Sequence, residues 1–139
     1  MQGTIAEESS YGDWSVSIGV ELRIAKTSNG LVTVGIGCLS ANDCFAYIAS
    51  KASPCNERET TALLLSSPAG SASTKVMCRR INNELVGIFE NREALNLVAF
   101  NEIGFKVVVP LRDGSFQISS FSSRGATAAL KMISASPQS

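Results

Sequence analysis

Apolar and polar residues alternate without a break from Trp14 to Ile24. Successive side chains of a β-strand point to opposite faces, so this pattern buries one face of a strand and exposes the other. Gly19 lies within the run, and we expect it to mark a bend or bulge that divides the run into two strands. The pattern predicts half-buried β-structure near the start of the chain.

The next segment contains the turn sequence Ser28-Asn29-Gly30. Asn-Gly readily adopts the positive φ angles of a tight hairpin turn. After the turn, alternate positions from Val32 to Cys38 are again apolar. We therefore predict a β-hairpin from about Val20 to Cys38.

The four cysteines, Cys38, Cys44, Cys55 and Cys78, form an even set without a C-x-x-C pair. This spacing is typical of neither a thioredoxin-like site nor a zinc ribbon. We therefore predict two disulfides, which indicate an oxidising compartment. Reduced core thiols and an irregular Cys₄ metal site are the alternatives. Of the three possible connectivities, the turn Ser40–Asp43 favours Cys38–Cys44 with Cys55–Cys78.

Later segments continue the β pattern. Leu95, Leu97, Val98 and Phe100 fit neither a helical nor a strand period cleanly, although Asn91 is a suitable helix cap. We predict a strand there because both flanks resemble strands. The other predicted strands are Cys44–Ala49, Thr61–Ser66, Ser73–Arg80, Leu85–Phe89, Phe105–Val109 and Phe116–Ile118. The last two form a predicted hairpin across the turn Arg112-Asp113-Gly114.

The C-terminal segment has helical character. Ala126, Ala129, Leu130 and Ile133 predict a helix capped by Ser122 or Ser123. The expected fold class is mainly β, with antiparallel hairpins forming a sandwich or a partly open barrel and one C-terminal helix. We expect a flexible tail at 1–10, a single domain at 11–133 and a second flexible tail at 134–139.

Composition excludes several classes of function. The 12 basic and 12 acidic residues balance, which disfavours broad attraction to nucleic acid or anionic lipid. No apolar run is long enough to span a membrane as a helix. Met1-Gln2-Gly3-Thr4 lacks the basic and apolar regions of a signal peptide, so an exported protein would be present here in its mature form.

The chain contains no histidine, which removes Ser-His-Asp triads, Cys-His pairs and histidine-bound metals. We expect no cofactor, no metal and no catalytic residue. Carboxylate pairs remain the alternative, and the local pairs are Glu57 with Glu59 and Glu90 with Glu93.

Gly35-Ile36-Gly37 does not complete a dinucleotide-binding fingerprint, because Ser40 occupies the third glycine position. Glycines within a strand more often mark a bulge or close packing against an aromatic ring. We therefore expect a structural role for this pair.

Two short segments are candidates for partner binding. Asn56, Glu57, Arg58 and Glu59 follow Cys55, so a disulfide would hold this mixed-charge stretch rigid and lower the ordering cost of binding. Arg79 and Arg80 form the second segment. On a strand, Arg80 shares the face of Cys78 and Arg79 faces the other way.

Both ends of the chain resemble bacterial periplasmic proteins of the invasion-associated locus B type. The resemblance is carried by Tyr11-Gly12-Asp13-Trp14-Ser15-Val16 and by Phe121-Ser122-Ser123-Arg124-Gly125-Ala126, which continues into Ala129-Leu130. It covers a small part of the chain. It implies a β-rich, exported protein without known catalysis, and it implies no site residues.

These observations lead to one expected function and two alternatives. We expect a non-enzymatic, periplasmic or secreted binding or accessory protein, for example an inhibitor or immunity protein, that recognises a protein or an envelope component. The alternatives are a small carboxylate-dependent hydrolase and a structural or adhesive subunit. The last of these requires an unpaired, apolar strand edge.

Overall fold

The structure is a computed structural model that describes residues 7–40, 43–51, 55–68, 70–81, 83–99, 103–111 and 113–134. These residues form one antiparallel, ten-stranded sheet that is not closed, with two helices. The order of strands is β1-β2-β3-β4-β5-β8-β7-β6-β9-β10. The strands are β1 Glu7–Tyr11, β2 Trp14–Ile18, β3 Arg23–Ser28, β4 Val32–Ser40, β5 Asp43–Ser50, β6 Thr60–Ser67, β7 Gly70–Ile81, β8 Glu84–Phe89, β9 Phe105–Pro110 and β10 Phe116–Phe121; the helices are α1 Arg92–Ala99 and α2 Ala126–Ser134.

The alternating run forms two strands, as predicted. The chain turns after β2, where the Gly19 amide donates to the Leu22 carbonyl (3.0 Å), and returns as β3. The next hairpin pairs β3 with β4 around Asn29, whose side-chain oxygen accepts hydrogen bonds from the amides of Leu31 and Val32. The mainly β fold class with antiparallel hairpins and a C-terminal helix is confirmed.

The core lies on one face of the sheet. Val16, Ala25, Ile36 and Ala46 are successive cross-strand partners, and all four are buried. Leu65 and Val107 form a similar buried pair in the other half of the sheet. The buried residues of α1 and α2 belong to the same cluster, so both helices cover this inner face.

Two sequence-based predictions are wrong at the level of secondary structure. The segment after Asn91 is the helix α1, because Ala94, Leu95 and Val98 fall on one helical face and are buried. The Asn91 side chain accepts a hydrogen bond from the Glu93 amide (3.0 Å), as a cap does. Residues 7–10 of the expected N-terminal tail instead pair with β2, because an edge strand bonds to one neighbour while its outward backbone groups can bond to water.

The tail prediction for 1–6 and for 135–139 lies outside the described residues, and Ser134 is the last residue of α2. The predicted side-chain cap of α2 is also wrong. The Ser122 hydroxyl donates to an Asp13 carboxylate oxygen (2.6 Å), and the Ser123 hydroxyl is buried without a hydrogen-bond partner among the described residues. The helix begins instead directly after Gly125.

A junction joins the two ends of the sheet, and it consists of residues 11–14 and 122–125. The Asp13 amide donates to the Arg124 carbonyl (2.8 Å), and the Trp14 indole N–H donates to the Ser122 carbonyl (2.8 Å). Because β1 and β10 are opposite edges of the sheet, these bonds show that the sheet curls. The two sequence segments that carry the family resemblance are thus in contact in the structure.

Close backbone approach at the junction requires glycine at position 125. Gly125 has φ +90°, and a Cβ atom there would overlap the Tyr11 carbonyl oxygen. On the other side of the junction, a Cβ at Gly12 would lie 2.6 Å from the Arg124 carbonyl oxygen. Both glycines therefore allow the two segments to reach hydrogen-bonding distance.

We predict that Gly125→Ala destabilises the protein by about 3 kcal/mol or more, through steric overlap added to an unfavourable positive φ. Gly30→Ala is the matched control, because Gly30 also has positive φ (+97°) but has nothing within 4 Å of a built Cβ. That variant is expected to cost about 1 kcal/mol. Denaturant unfolding of both variants measures the difference, and equal destabilisation would contradict the role of the junction.

Candidate functional site

A cavity of about 570 Å³ lies on the inner face of the sheet, at the end where β6 and β10 begin. Its volume is in the range of small-molecule sites, and its walls are mostly apolar. The apolar lining residues are Val32, Ile48, Leu63, Val76, Leu85, Val109, Pro110 and Leu111. Its polar lining residues are Ser50, Glu59, Thr61, Asp113 and Gln117.

The strand pairing explains why these residues face one space. Val109 and Gln117 are cross-strand partners in β9 and β10, and Thr61 and Leu63 are alternate residues of β6. Gly87 lies between Ile48 and Cys78 across β5, β8 and β7. A Cβ at Gly87 would lie 3.1 Å from Val76, so the glycine leaves the wall of the cavity uncrowded.

One side of the cavity mouth is formed by residues 55–59, here called the rim loop. The disulfide Cys55–Cys78 fixes its start to β7, with a Cα–Cα distance of 5.9 Å. The Arg58 amide donates to the Cys78 carbonyl (2.7 Å), and the Cys78 amide donates to the Glu59 carbonyl (2.8 Å). The predicted pairing, Cys55–Cys78 with Cys38–Cys44, is confirmed, and the loop is held by more than its disulfide.

The rim loop carries a strained residue. Arg58 has φ +74°, a left-handed conformation that costs a non-glycine residue about 1–2 kcal/mol. The hydrogen bond from the Glu59 amide to the Asn56 carbonyl (2.9 Å) closes the turn around it. Such strain persists only where the surroundings impose it, and it is more frequent at functional sites.

The structure brings only some of the candidate binding residues together. Asn56, Glu57, Arg58 and Glu59 are all exposed on it. Arg80 lies within 3.7 Å of Glu57, and both side chains are half exposed. Arg79 pairs with Val86 across the outer face and points away from the cavity. As predicted from strand geometry, only Arg80 shares the side of Cys78.

The structure places the four carboxylates considered for catalysis in two separate regions. Glu57 and Glu59 lie in the rim loop, whereas Glu90 and Glu93 lie beyond the opposite end of β8. All four are exposed.

Sequence reasoning missed Asp113 and Gln117, which the turn between β9 and β10 brings to the mouth. The backbone amide and hydroxyl of Ser115 donate to the Asp113 carboxylate, and these hydrogen bonds lower the pKa of Asp113. Asp113 is therefore anionic at neutral pH. A turn sequence such as Asp113-Gly114 signalled the hairpin but not the cavity beneath it.

The Gly35-x-Gly37 sequence has the structural role that we expected. A Cβ at Gly35 would lie 3.0 Å from the Tyr47 ring, and one at Gly37 would lie 2.8 Å from the Phe45 ring. Both rings cover the outer face of β4. Burial, and secondarily Glu84, raise the pKa of Tyr47 far above its usual value, so the hydroxyl stays neutral.

Metal and membrane features complete the description of the site. Within the described part of the chain, no cluster of three or more His, Cys, Asp or Glu residues is placed to hold a metal ion. Over the same residues, no helix has the length and apolar character needed to cross a membrane. The two disulfides are typical of an oxidising, non-cytoplasmic environment.

Comparison with known proteins shows similarity in fold. No protein-family model matches the sequence, and no curated protein matches it. The structure is similar to the crystal structure of invasion associated protein B from Bartonella henselae, with a TM-score of 0.61 and 12% identity over 91% of this chain and 95% of that chain. At this identity the likeness shows the fold alone, and it agrees with the β-rich fold that the terminal segments imply.

We predict that replacing Cys55 and Cys78 by alanine costs about 3 kcal/mol of stability, because this disulfide restricts a long loop of the unfolded chain. The replacement also speeds amide exchange at Arg58, whose amide donates to the carbonyl of residue 78, and at Glu59, whose amide donates to the Asn56 carbonyl, because the rim loop loses its covalent support. Replacing Cys38 and Cys44 is the control and is expected to cost about 2 kcal/mol, since it opens a shorter loop.

Denaturant unfolding and hydrogen exchange by mass spectrometry measure the two effects. A rim loop that exchanges equally slowly in both double variants would show that the disulfide does not order it.

Proposed function

We propose that this protein is a non-enzymatic, exported binding protein, and that the rim loop and the adjoining cavity mouth form its recognition site. The observation that carries the proposal is the fixed conformation of the rim loop. A disulfide and backbone hydrogen bonds to Cys78 hold it while Asn56, Glu57 and Arg58 remain exposed. A loop ordered in advance loses little conformational entropy on binding.

The chemistry of the mouth supports recognition of a partner with mixed polarity. Charged side chains of both signs, Glu57, Arg58 and Arg80, are displayed beside an apolar cavity. Apolar anchors surrounded by polar contacts are typical of binding sites. We propose a protein or an envelope component as the partner, in the periplasm or the external medium. An inhibitor or immunity protein against a secreted enzyme is one concrete form of this function.

Site-specific photo-cross-linking tests the proposal. With a photoreactive amino acid at position 56, we expect a discrete cross-linked product with a component of the source organism's exported fraction. Thr127 is the control position, because it is exposed on α2 and lies outside the rim loop. The product should weaken when Cys55 and Cys78 are replaced by alanine. The same products at positions 56 and 127, or no product at position 56, would contradict the proposal.

A second function, that of a structural or adhesive subunit, is favoured by the edge strand β10. Phe116 and Ile118 are 66% and 64% exposed, and no strand of the described residues pairs with the outer edge of β10. The strand from Phe116 to Phe121 contains no lysine or proline, the residues that commonly protect an edge from pairing.

This second function predicts concentration-dependent self-association that Ile118→Lys abolishes, since a charge on an edge strand opposes pairing with another edge. Leu64→Lys is the matched control, because Leu64 is exposed on the same face but belongs to the interior strand β6. Sedimentation velocity measures the association. A wild-type protein that stays monomeric at high concentration would contradict a structural role.

A further inference from the structure

The outward edge of β10 presents backbone groups that no described strand binds. The Leu111 amide donates to the Ser115 carbonyl (2.8 Å), which makes these two residues a hydrogen-bonded pair at the end of the β9–β10 ladder. Such pairs alternate along antiparallel strands, so the backbone groups of Phe116, Ile118 and Ser120 point away from β9. Among the described elements, only β9 packs extensively against β10. The edge is therefore open to a further strand.

An apolar row on the outer face of the sheet ends at this edge. Leu64, Val108 and Ile118 are successive cross-strand partners in β6, β9 and β10. Ile118 and Phe116, which share this face of β10, are both largely exposed. A strand added at the edge would cover these two side chains and continue the row.

The strand β10 is complementary to itself in one antiparallel register. When Ile118 lies opposite Ile118 of a second copy, Phe116 lies opposite Ser120 of that copy. The outward backbone groups of the two strands then face each other and form about six hydrogen bonds. A large side chain is paired with a small one on each side of the twofold axis, and the apolar row continues through Ile118 into the second copy.

Charge also favours a second copy as the occupant of this edge. No residue of Phe116–Phe121 is charged, so two copies of the strand meet without like charges in this register. The whole chain has 12 basic and 12 acidic residues, so its net charge does not oppose association with itself. Pairing through one edge buries less than the roughly 1,200–2,000 Å² of a stable interface, so we expect a dimer that exchanges with monomer.

We propose that two copies of this protein dimerise by antiparallel pairing of their β10 strands, in the register centred on Ile118, and so form one continuous sheet. This dimer goes beyond the proposed recognition site and does not depend on it. It also differs from the assembly of a structural subunit, because it uses both β10 edges and association stops at two copies. Since β10 begins at the cavity mouth, the two mouths lie at opposite ends of the paired strands, and one dimer presents two recognition sites.

A pair of charge variants tests the register. Phe116→Lys/Ser120→Glu places lysine opposite glutamate at both ends of the paired strands, whereas Phe116→Lys/Ser120→Lys places lysine opposite lysine. Both variants carry the same lysine at position 116. We expect sedimentation velocity to give a dissociation constant about tenfold or more higher for the like-charge variant than for the opposite-charge variant.

A third variant separates the register from net charge. Phe116→Lys/Thr127→Lys has the same net charge as the like-charge variant, but its second lysine lies on α2, outside the edge. We expect it to dimerise more tightly than the like-charge variant. Equal weakening of these two variants would show that net charge, and not pairing between positions 116 and 120, controls association.

Amide exchange of the wild-type protein, resolved by residue with NMR, tests the edge without any substitution. Between about 50 µM and about 1 mM protein, we expect exchange at Phe116, Ile118 and Ser120 to slow by about threefold or more. Thr127 is the control, because amides in the first turn of a helix have no acceptor within the helix, and its exchange should not change.

Unchanged exchange at Ile118, or equal association of the opposite-charge and like-charge variants, would overturn the dimer. Species larger than a dimer would also overturn it and would favour the structural subunit. Photo-cross-linking at position 56 reports on the rim loop and not on β10. A specific cross-link from a protein that stays monomeric would therefore refute the dimer and leave the proposed binding function standing.

Discussion

The junction between residues 11–14 and 122–125 is the contact on which the shape of the molecule depends. It binds the first hairpin to the chain that leaves the last strand, and its hydrogen bonds join opposite edges of one sheet. The Trp14 side chain is almost fully buried there and donates its indole N–H to a backbone carbonyl. A buried indole must find such an acceptor, so burial and hydrogen bonding together position this residue.

The open mouth follows from where the junction lies. Strand β10 ends at the junction with Phe121, which stacks on Phe105 with a centroid separation of 5.3 Å. The same strand begins at the mouth, where Gln117 lines the cavity. The two edges of the sheet are joined by hydrogen bonds at the junction, and among the described residues they are not joined at the cavity mouth. Strand β10 therefore runs from the open cavity mouth to the junction where the two edges of the sheet are hydrogen-bonded.

Local chemistry explains which parts of this architecture the sequence could predict. Alternation from Trp14 to Ile24 and the turn at Asn29 depend on neighbours in sequence, so the first hairpins were predictable. The disulfide Cys38–Cys44 was predictable for the same reason, because a short turn places the two residues opposite each other in β4 and β5. The helix α1 was not, since Leu95, Leu97 and Val98 fit neither a helical nor a strand period cleanly and both flanks resemble strands.

The cavity was beyond sequence reasoning for a different reason. Its lining combines β4, β5, β6, β7, β8, β9 and β10, and the order β5-β8-β7-β6-β9 depends on pairing between distant segments. Glu59 was identified as a binding residue from its position after Cys55, whereas Asp113 was read only as part of a turn. Pairing between distant strands brings these two carboxylates to the same cavity mouth, and no local sequence pattern predicts that pairing.

The size of the cavity itself argues that it is a site rather than a packing defect. A closed, empty cavity of about 570 Å³ would cost on the order of 10 kcal/mol at the rate measured for buried voids, which is as large as the whole stability of a typical domain. The fold tolerates this space because it opens to solvent beside Glu59 and Asp113. The proposed recognition site therefore combines this open space with a rim loop whose conformation is already fixed, and a fixed loop lowers the entropy cost of binding.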